Sequence, residues 1–466
     1  MHTSLASIPE GFEASLGRGS HGWFAGVLVR PDRDKPYVED LGERVSSIGA
    51  KLRDGQTDAA WQQALCGPVG LRIVLAREGQ DEPAVLQTGD RLWGPAAADT
   101  VGGALLAWCE RQGDQWALAL WRDGAQGSPL CSPHVLSAPA VAEVGGKPYA
   151  ACQQMGVDGP QVVVVSQTGE RPYQRPGRSP RLLAVGTRLC LVHEEPEGDR
   201  CRLRYVAFED DKPIQDLLLP AGDDLNLKAD LQATDGGDLY VVHEACPAWG
   251  HDHFLGRHRD LYLWRLAAGG DAFCAAPGRL PIPYRASHGL NEPPVQPRLL
   301  LLDGRPAVAF RRFEYYTARP LSWHVYLIRS DGCTWSAPAR ISGTHGLPET
   351  EYAVRAHDSG LLAAFTCCEQ RPPLTLDDYH AGREPQGMPG RVHNTFVTLE
   401  CLEADTDRGP VPSLPNRMGE EYHISLGVAD PAPSPPALHA PGAPANLVWG
   451  DLHQHTLWSK CMSPVD

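Results

Sequence analysis

Apolar residues in this chain recur in short runs, many of them alternating with polar residues. Between about Leu71 and Leu402 one theme repeats. An apolar run rich in small residues is followed by a polar gap, a second, alternating run, a turn and a Pro-containing tail. The clearest copy is PRLLLLDGRPAVAFRRFE followed by WHVYLIRSDGCTWSAPARIS. Asp303-Gly304 between two apolar runs predicts a hairpin, with a strand over Ala307–Phe310. Trp323–Arg329 alternates, Asp331-Gly332 predicts a second hairpin, and Trp335–Ile341 is the expected last strand. Weaker copies begin at GGALLAWCE, GGKPYAACQQ, GTRLCLVHEE and GGDLYVVHEA. A more interrupted copy joins SGLLAAFTCCEQ to RVHNTFVTLECLEA. Helical periodicity is largely missing from this region, whereas period-two runs bounded by Gly, Asp and Pro suit antiparallel meanders.

Units of roughly 40–70 residues match four-stranded propeller blades with loops of varying size. A lone blade leaves both faces of its sheet wet, and stacking blades around an axis buries them. The pattern predicts an all-β, β-propeller-like domain of six to seven blades over residues 20–405. Residues 20–95 are the candidate seventh unit, with a helical piece expected around Thr57–Leu65.

Composition narrows the function. The 466 residues carry a formal net charge of -15, and this acidity disfavours nucleic acid as a partner. No apolar run reaches the length of a membrane span, so no membrane partner is expected. The N-terminus lacks the pattern of a secretory signal. The 13 cysteines have no CxxC spacing. Together these features suit reduced thiols in a cytoplasmic protein.

Gly332-Cys333-Thr334-Trp335 resembles part of the Asp-box of sialidase-type propellers, S-x-D-x-G-x-T-W. The box's Asp position holds Ser330, and Asp331 is out of register. In that family the box pins a hairpin and packs a Trp. It therefore supports a propeller and says nothing of sialidase chemistry.

From about Gly427 to Asn446 the composition turns Pro- and Ala-rich, so residues 406–446 are expected to be a semi-rigid linker. Beyond it, residues 447–466 contain NLVWGDLHQHTLWSKC. His453 and His455 are spaced i, i+2, which on a strand points both imidazoles to one side, where they can grip a divalent ion. The run resembles the first motif of PHP-type hydrolases, D-L-H-x-H-[ST], and more closely an uncharacterised branch of that superfamily. Asp451, Leu452, His453, His455, Thr456 and Ser459 match. The resemblance implies the first strand of a PHP-like (β/α) barrel and a parent that is a metal-dependent hydrolase of the phosphoesterase type. It implies His453 and His455 as ligands of divalent Zn, Mn or Fe, with Asp451 behind them or as an occasional ligand. Later ligands are not in the chain, so tight metal binding by this chain alone is not expected. The substrate, a small molecule or phosphoester, is not identified.

Other readings stay open. Amidohydrolases also open their barrel with H-x-H. The chain can instead be a stand-alone propeller that binds without catalysis, or a glycan-active propeller. His251 and His253, in HEACPAWGHDHFLGRH with His243 and His258, form a candidate ligand loop, against the plainer reading of a solvated polar loop near Trp249. Arg311, Arg312, Glu314, Tyr315 and Tyr316 at a strand exit are candidates for a binding face or for ordinary blade-edge surface.

Overall fold

A computed structural model describes residues 2–29, 70–89, 91–156, 159–198, 200–220, 225–246, 259–282, 285–287, 290–292, 294–314, 322–341, 352–357, 360–368 and 395–403. The expected helix at Thr57–Leu65, the linker and residues 447–466 lie outside them. The described residues are all β, with no helix. They form seven antiparallel four-stranded sheets and one two-stranded hairpin. A single parallel bridge, Cys201 to Leu225, joins the fourth sheet to the fifth.

The sheets form a ring, because each innermost strand packs against the next. These strands are Gly11–Gly19, Leu92–Ala98, Leu136–Val144, Arg178–Val185, Leu225–Ala233, Pro294–Leu302 and Ala353–His357, in blades 1 to 7. The structure is thus a seven-bladed propeller. In blade 7 the chain's own N-terminal strand, His2–Pro9, pairs with Thr395–Glu403 as the outermost strand. First and last blades are therefore closed by pairing across nearly the whole described chain.

Blades 2 to 6 share one local device. Each inner strand opens with a bulge, seen as register shifts at Trp93/Ala96, Ser137/Ala140, Arg178/Arg181, Leu227/Asp230 and Val295/Arg298. The first bulged residue is Gly94, Ala138, Ser179, Lys228 or Gln296, and all five have positive φ. Pro follows in four of them, at Pro95, Pro139, Pro180 and Pro297; blade 5 has Ala229. A Pro there removes one backbone donor where the ladder is already interrupted.

Side chains bond the inner strands to one another around the ring. Asp230 Oδ2 accepts from Leu299 N (2.8 Å). Arg298 Nε donates to the Tyr352 carbonyl (3.2 Å), and Arg355 Nε to the Leu16 carbonyl (2.6 Å). Arg355 also pairs with Asp99 (2.7 Å), and Glu143 accepts from Val101 N (3.1 Å). Between the sheets lie seven apolar clusters, one per interface. Cys109 and Cys152, for example, sit in the cluster between blades 2 and 3.

The structure differs from the sequence expectation in three ways. Strands begin at His2, ahead of residue 20, because the first two strands belong to blades 7 and 1. The four weaker copies begin on the second strand of a blade and their Pro-containing tails form the outermost strand of that same blade, so the inner strands fall between copies. In blade 6 the last strand is only Ala339–Arg340, preceded by a lone bridge between Ser330 and Trp335. There Asp331, not Ser330, pins the turn. Its carboxylate accepts from Cys333 N (2.7 Å), Thr334 N (2.6 Å) and Thr334 Oγ1 (2.7 Å). These bonds, that from Thr334 N foremost, lower its pKa to about 2.

Closure is testable at Ile8, buried in the cluster shared by blades 7 and 1. Ile8→Ala is expected to cost about 2–5 kcal/mol in urea unfolding, as for other buried large-to-small changes. A cost below about 0.5 kcal/mol, the range of ordinary surface changes, would mean the N-terminal strand does not carry closure.

Candidate functional site

The inner strands of all seven blades surround a central cavity of about 410 Å³. Its charged lining divides around the ring. Blades 1 to 3 contribute Glu13, Asp99 and Glu143. Blades 4 to 7 contribute Arg181, Lys228, Arg298 and Arg355, with Asp230 the one carboxylate among them. Several of these charges are used by the ring itself. Asp99 accepts from Arg18 N and pairs with Arg355; Glu143 pairs with Arg122 (2.7 Å). Asp230 is held by Leu299 N. Lys228 is different: it is exposed, and among the described residues its Nζ has no hydrogen bond or ion pair.

A second set of polar residues surrounds the bulges. Glu194 and Glu244 occupy matching places on the second strands of blades 4 and 5, each reaching into the next blade. Glu194 accepts from Lys228 N (2.9 Å) and pairs with Arg178 (2.6 Å). Glu244 accepts from Gln296 N and pairs with Arg259 (3.1 Å). These carboxylates satisfy the backbone N–H of a residue in the left-handed region, where the ladder leaves it without a strand partner.

Beside each Glu lies a buried histidine. His193 Nδ1 meets the Glu194 carbonyl (3.2 Å) and its Nε2 meets Tyr173 Oη (2.7 Å). His243 Nδ1 meets the Glu244 carbonyl (2.9 Å), and Trp264 Nε1 donates to its Nε2 (3.0 Å). An indole nitrogen only donates and a carbonyl only accepts, so His243 is neutral with its proton on Nδ1. Burial lowers the pKa of both imidazoles to about 4, against a smaller upward pull from the backbone carbonyls.

The structure settles part of the sequence-derived list of candidates. Arg311 and Arg312 are not on a blade-edge surface; they are 2% and 4% exposed. Arg311 takes the place that Glu194 and Glu244 hold in other blades and lies 6.0 Å from the centre of the Tyr352 ring, in blade 7. Arg312 lies over Phe310 and Tyr326. Glu314 ends the same strand, and Tyr315 and Tyr316 lie outside the described residues. His243 is a core residue, separate in role from any loop. His251, His253 and His258 lie outside the described residues, as do Asp451, His453 and His455. Among the described residues no three His, Cys, Asp or Glu side chains gather as a metal site. No described helix is long and apolar enough to cross a membrane. The cavity residues went unread in the sequence, although the recurring Gly-Pro, Ala-Pro, Ser-Pro and Gln-Pro pairs mark four of the bulges.

No family model and no curated protein matches the chain. Solved structures do. A subtype N11 neuraminidase-like protein of A/flat-faced bat/Peru/033/2010 (H18N11) is similar at 7% identity and a TM-score of 0.41, over 88% of this chain and 96% of that one. The β-propeller domain of the Trilobed protease from Pyrococcus furiosus is similar at 9% identity and a TM-score of 0.42, over 77% and 91%. Kuenenia stuttgartiensis hydrazine synthase is similar at 12% identity and a TM-score of 0.42, over 77% and 93%.

The buried histidines give stability a pH dependence of known sign. Above about pH 6.5 they are neutral folded or unfolded, and stability is at its full value. Between about 6.5 and 4 the unfolded chain binds protons that the folded chain does not, so stability falls as pH falls. The loss is on the order of 3 kcal/mol per imidazole at most. His243→Phe, which installs the residue that blade 6 has at Phe310, should flatten this limb in urea unfolding from pH 7 to 4. At neutral pH it should cost about 1–3 kcal/mol, because Trp264 Nε1 loses its acceptor. An unchanged acid limb in both His193→Phe and His243→Phe would refute the assignment.

Proposed function

We propose that this chain supplies the recognition domain of a metal-dependent hydrolase of the PHP type. The propeller selects and holds a ligand, and residues 447–466 begin the catalytic domain. The observation that carries the recognition role is the polar central cavity. It is bounded by inner strands that bond to one another, and one cation of its lining, Lys228, has no hydrogen bond or ion pair from its ammonium among the described residues. A site on rigid elements holds its geometry better than one on loops.

The hydrolase half rests on GDLHQHT alone. Two neutral imidazoles at His453 and His455 are suitable donors for Zn, Mn or Fe, and Asp451 can orient or join them. When bound, such an ion supplies a water of lowered pKa and polarises a phosphoester. Two histidines do not fill a catalytic coordination shell, so further ligands must complete it. A second reading, a propeller that binds without catalysis, draws on the same cavity and needs no metal.

Metal-dependent hydrolysis separates the two. The full-length gene product, supplied with manganese or zinc, should hydrolyse p-nitrophenyl phosphate, and His453→Ala or His455→Ala should lower turnover by at least about a hundredfold, about 2.7 kcal/mol of barrier. Turnover that survives both substitutions, or none with either metal, would leave the binding module as the surviving reading.

A further inference from the structure

Lys228 stands out from the repeat that surrounds it. Its φ is +54°, in the left-handed region. The same place holds Gly94, Ala138, Ser179 and Gln296 in other blades, so three of the four counterparts are small. A non-glycine residue there is disfavoured, as it is at Ala138, Ser179 and Gln296, and strain of this kind persists only where surrounding structure holds it. Glu194 does so, accepting from Lys228 N. Blade 5 also lacks the Pro of the other bulges, having Ala229 instead. Ala229 packs in the apolar cluster between blades 4 and 5, but the Lys228 side chain is exposed and no protein group hydrogen-bonds or pairs with its ammonium among the described residues. Its neighbours in the cavity lining are Arg181 from blade 4 and Arg298 from blade 6. Cations from three successive blades therefore line one central cavity, and among its described lining residues on those blades the one carboxylate, Asp230, is bonded to Leu299 N.

We propose that the central cavity binds the phosphoryl group of a small organophosphate, with Lys228 as its principal cation and Arg181 and Arg298 adding positive potential on either side. A phosphoryl group is favoured over a single carboxylate because it presents three strong acceptor oxygens and close to two charges, matching cations arriving from several directions. A volume of about 410 Å³ admits a metabolite of modest size and excludes a polymer. This inference rests on the reading of the propeller as a recognition domain, and it does not require the hydrolase to be correct.

Isothermal titration calorimetry on the whole protein, without added metal, tests it with inorganic phosphate, glycerol phosphate and acetate. Phosphate and glycerol phosphate are expected to bind in competition with each other and acetate at least about tenfold more weakly, about 1.4 kcal/mol. Lys228→Gly should weaken phosphate binding by at least about tenfold while raising the urea midpoint, since glycine adopts this backbone freely. That opposite movement distinguishes a ligand residue from a structural one. Lys228→Arg should retain binding, and a paired His453→Ala, His455→Ala variant should bind phosphate as the parent does. Equal binding by acetate would replace the phosphoryl group with a generic anion and overturn the proposal. So would undiminished phosphate binding in Lys228→Gly, or its loss in the paired histidine variant. Phosphate binding with no hydrolysis would leave this inference standing and sink only the hydrolase reading.

Discussion

Every blade has two apolar faces, and this one constraint governs the rest of the structure. A single four-stranded sheet of this composition cannot hide Leu106, Trp108 and Leu118 at once, since they point to opposite sides. Seven sheets in a ring give each face a partner, and the seven inter-blade clusters are the result. The ring must then close, or two faces remain wet. Closure falls to His2–Pro9 on Thr395–Glu403, where backbone hydrogen bonds join the two ends of the described chain. The loop-closure cost of so distant a pairing grows only slowly with length, so the cluster it completes can outweigh it.

Stacking sheets into a ring brings inner strands close together and requires each to bend at its start. The bulges in blades 2 to 6 provide that bend, at the cost of a residue at positive φ and an N–H pulled out of the ladder. Where the sequence places Glu194 and Glu244, a carboxylate from the preceding blade takes up the displaced N–H. The strain and its compensation therefore sit in different blades, which ties neighbours together. Blade 7 meets blade 6 differently. Tyr352 donates its hydroxyl to the Gln296 carbonyl, and the cations of Arg298 and Arg311 lie over its ring. A cation on an aromatic face there replaces a carboxylate on a backbone donor, which explains why Arg311 is buried.

Fold class was legible in the sequence because the second strand of most blades holds an apolar run, and in blades 2 to 6 a Gly-bearing turn precedes it. LLAWCE, LCLVHE and LYVVHE read as strands at sight, and Asp303-Gly304 marked its hairpin correctly, both residues having positive φ. Inner strands were harder. RSPRLLAV and LNLKADLQA carry charges that line the cavity and bulges that break the alternation, so they read as gaps between copies. The strand over residues 2–9 has no local cue to a partner some 390 positions away. Arg311 and Arg312 read as surface because buried arginine is rare, and the rings that make it tolerable, Tyr352 of blade 7 for Arg311 and Phe310 and Tyr326 of blade 6 for Arg312, are gathered only by folding. His243 was grouped with His251 and His253 by proximity in sequence, yet its strand carries it into the core beside Trp264.

A repeat protein separates its obligations by position. Where the blades agree, the residue serves the ring: small or Pro at the bulge, Leu, Val or Ala along the second strand. Where one blade departs and the departure mends nothing in the ring, selection on folding does not account for it. His193 and His243 depart from Trp108, Cys152 and Phe310, but each finds a hydrogen-bond partner for both nitrogens, so the core explains them. Arg311 departs from Glu194 and Glu244, and Tyr352 explains it. Lys228 shares its positive φ with the other bulges and Glu194 takes up its N–H, but its ammonium meets no hydrogen-bonding or charged protein group among the described residues. Its ammonium faces a cavity that the other six blades help to enclose, and an anion there would supply the interaction that the protein withholds.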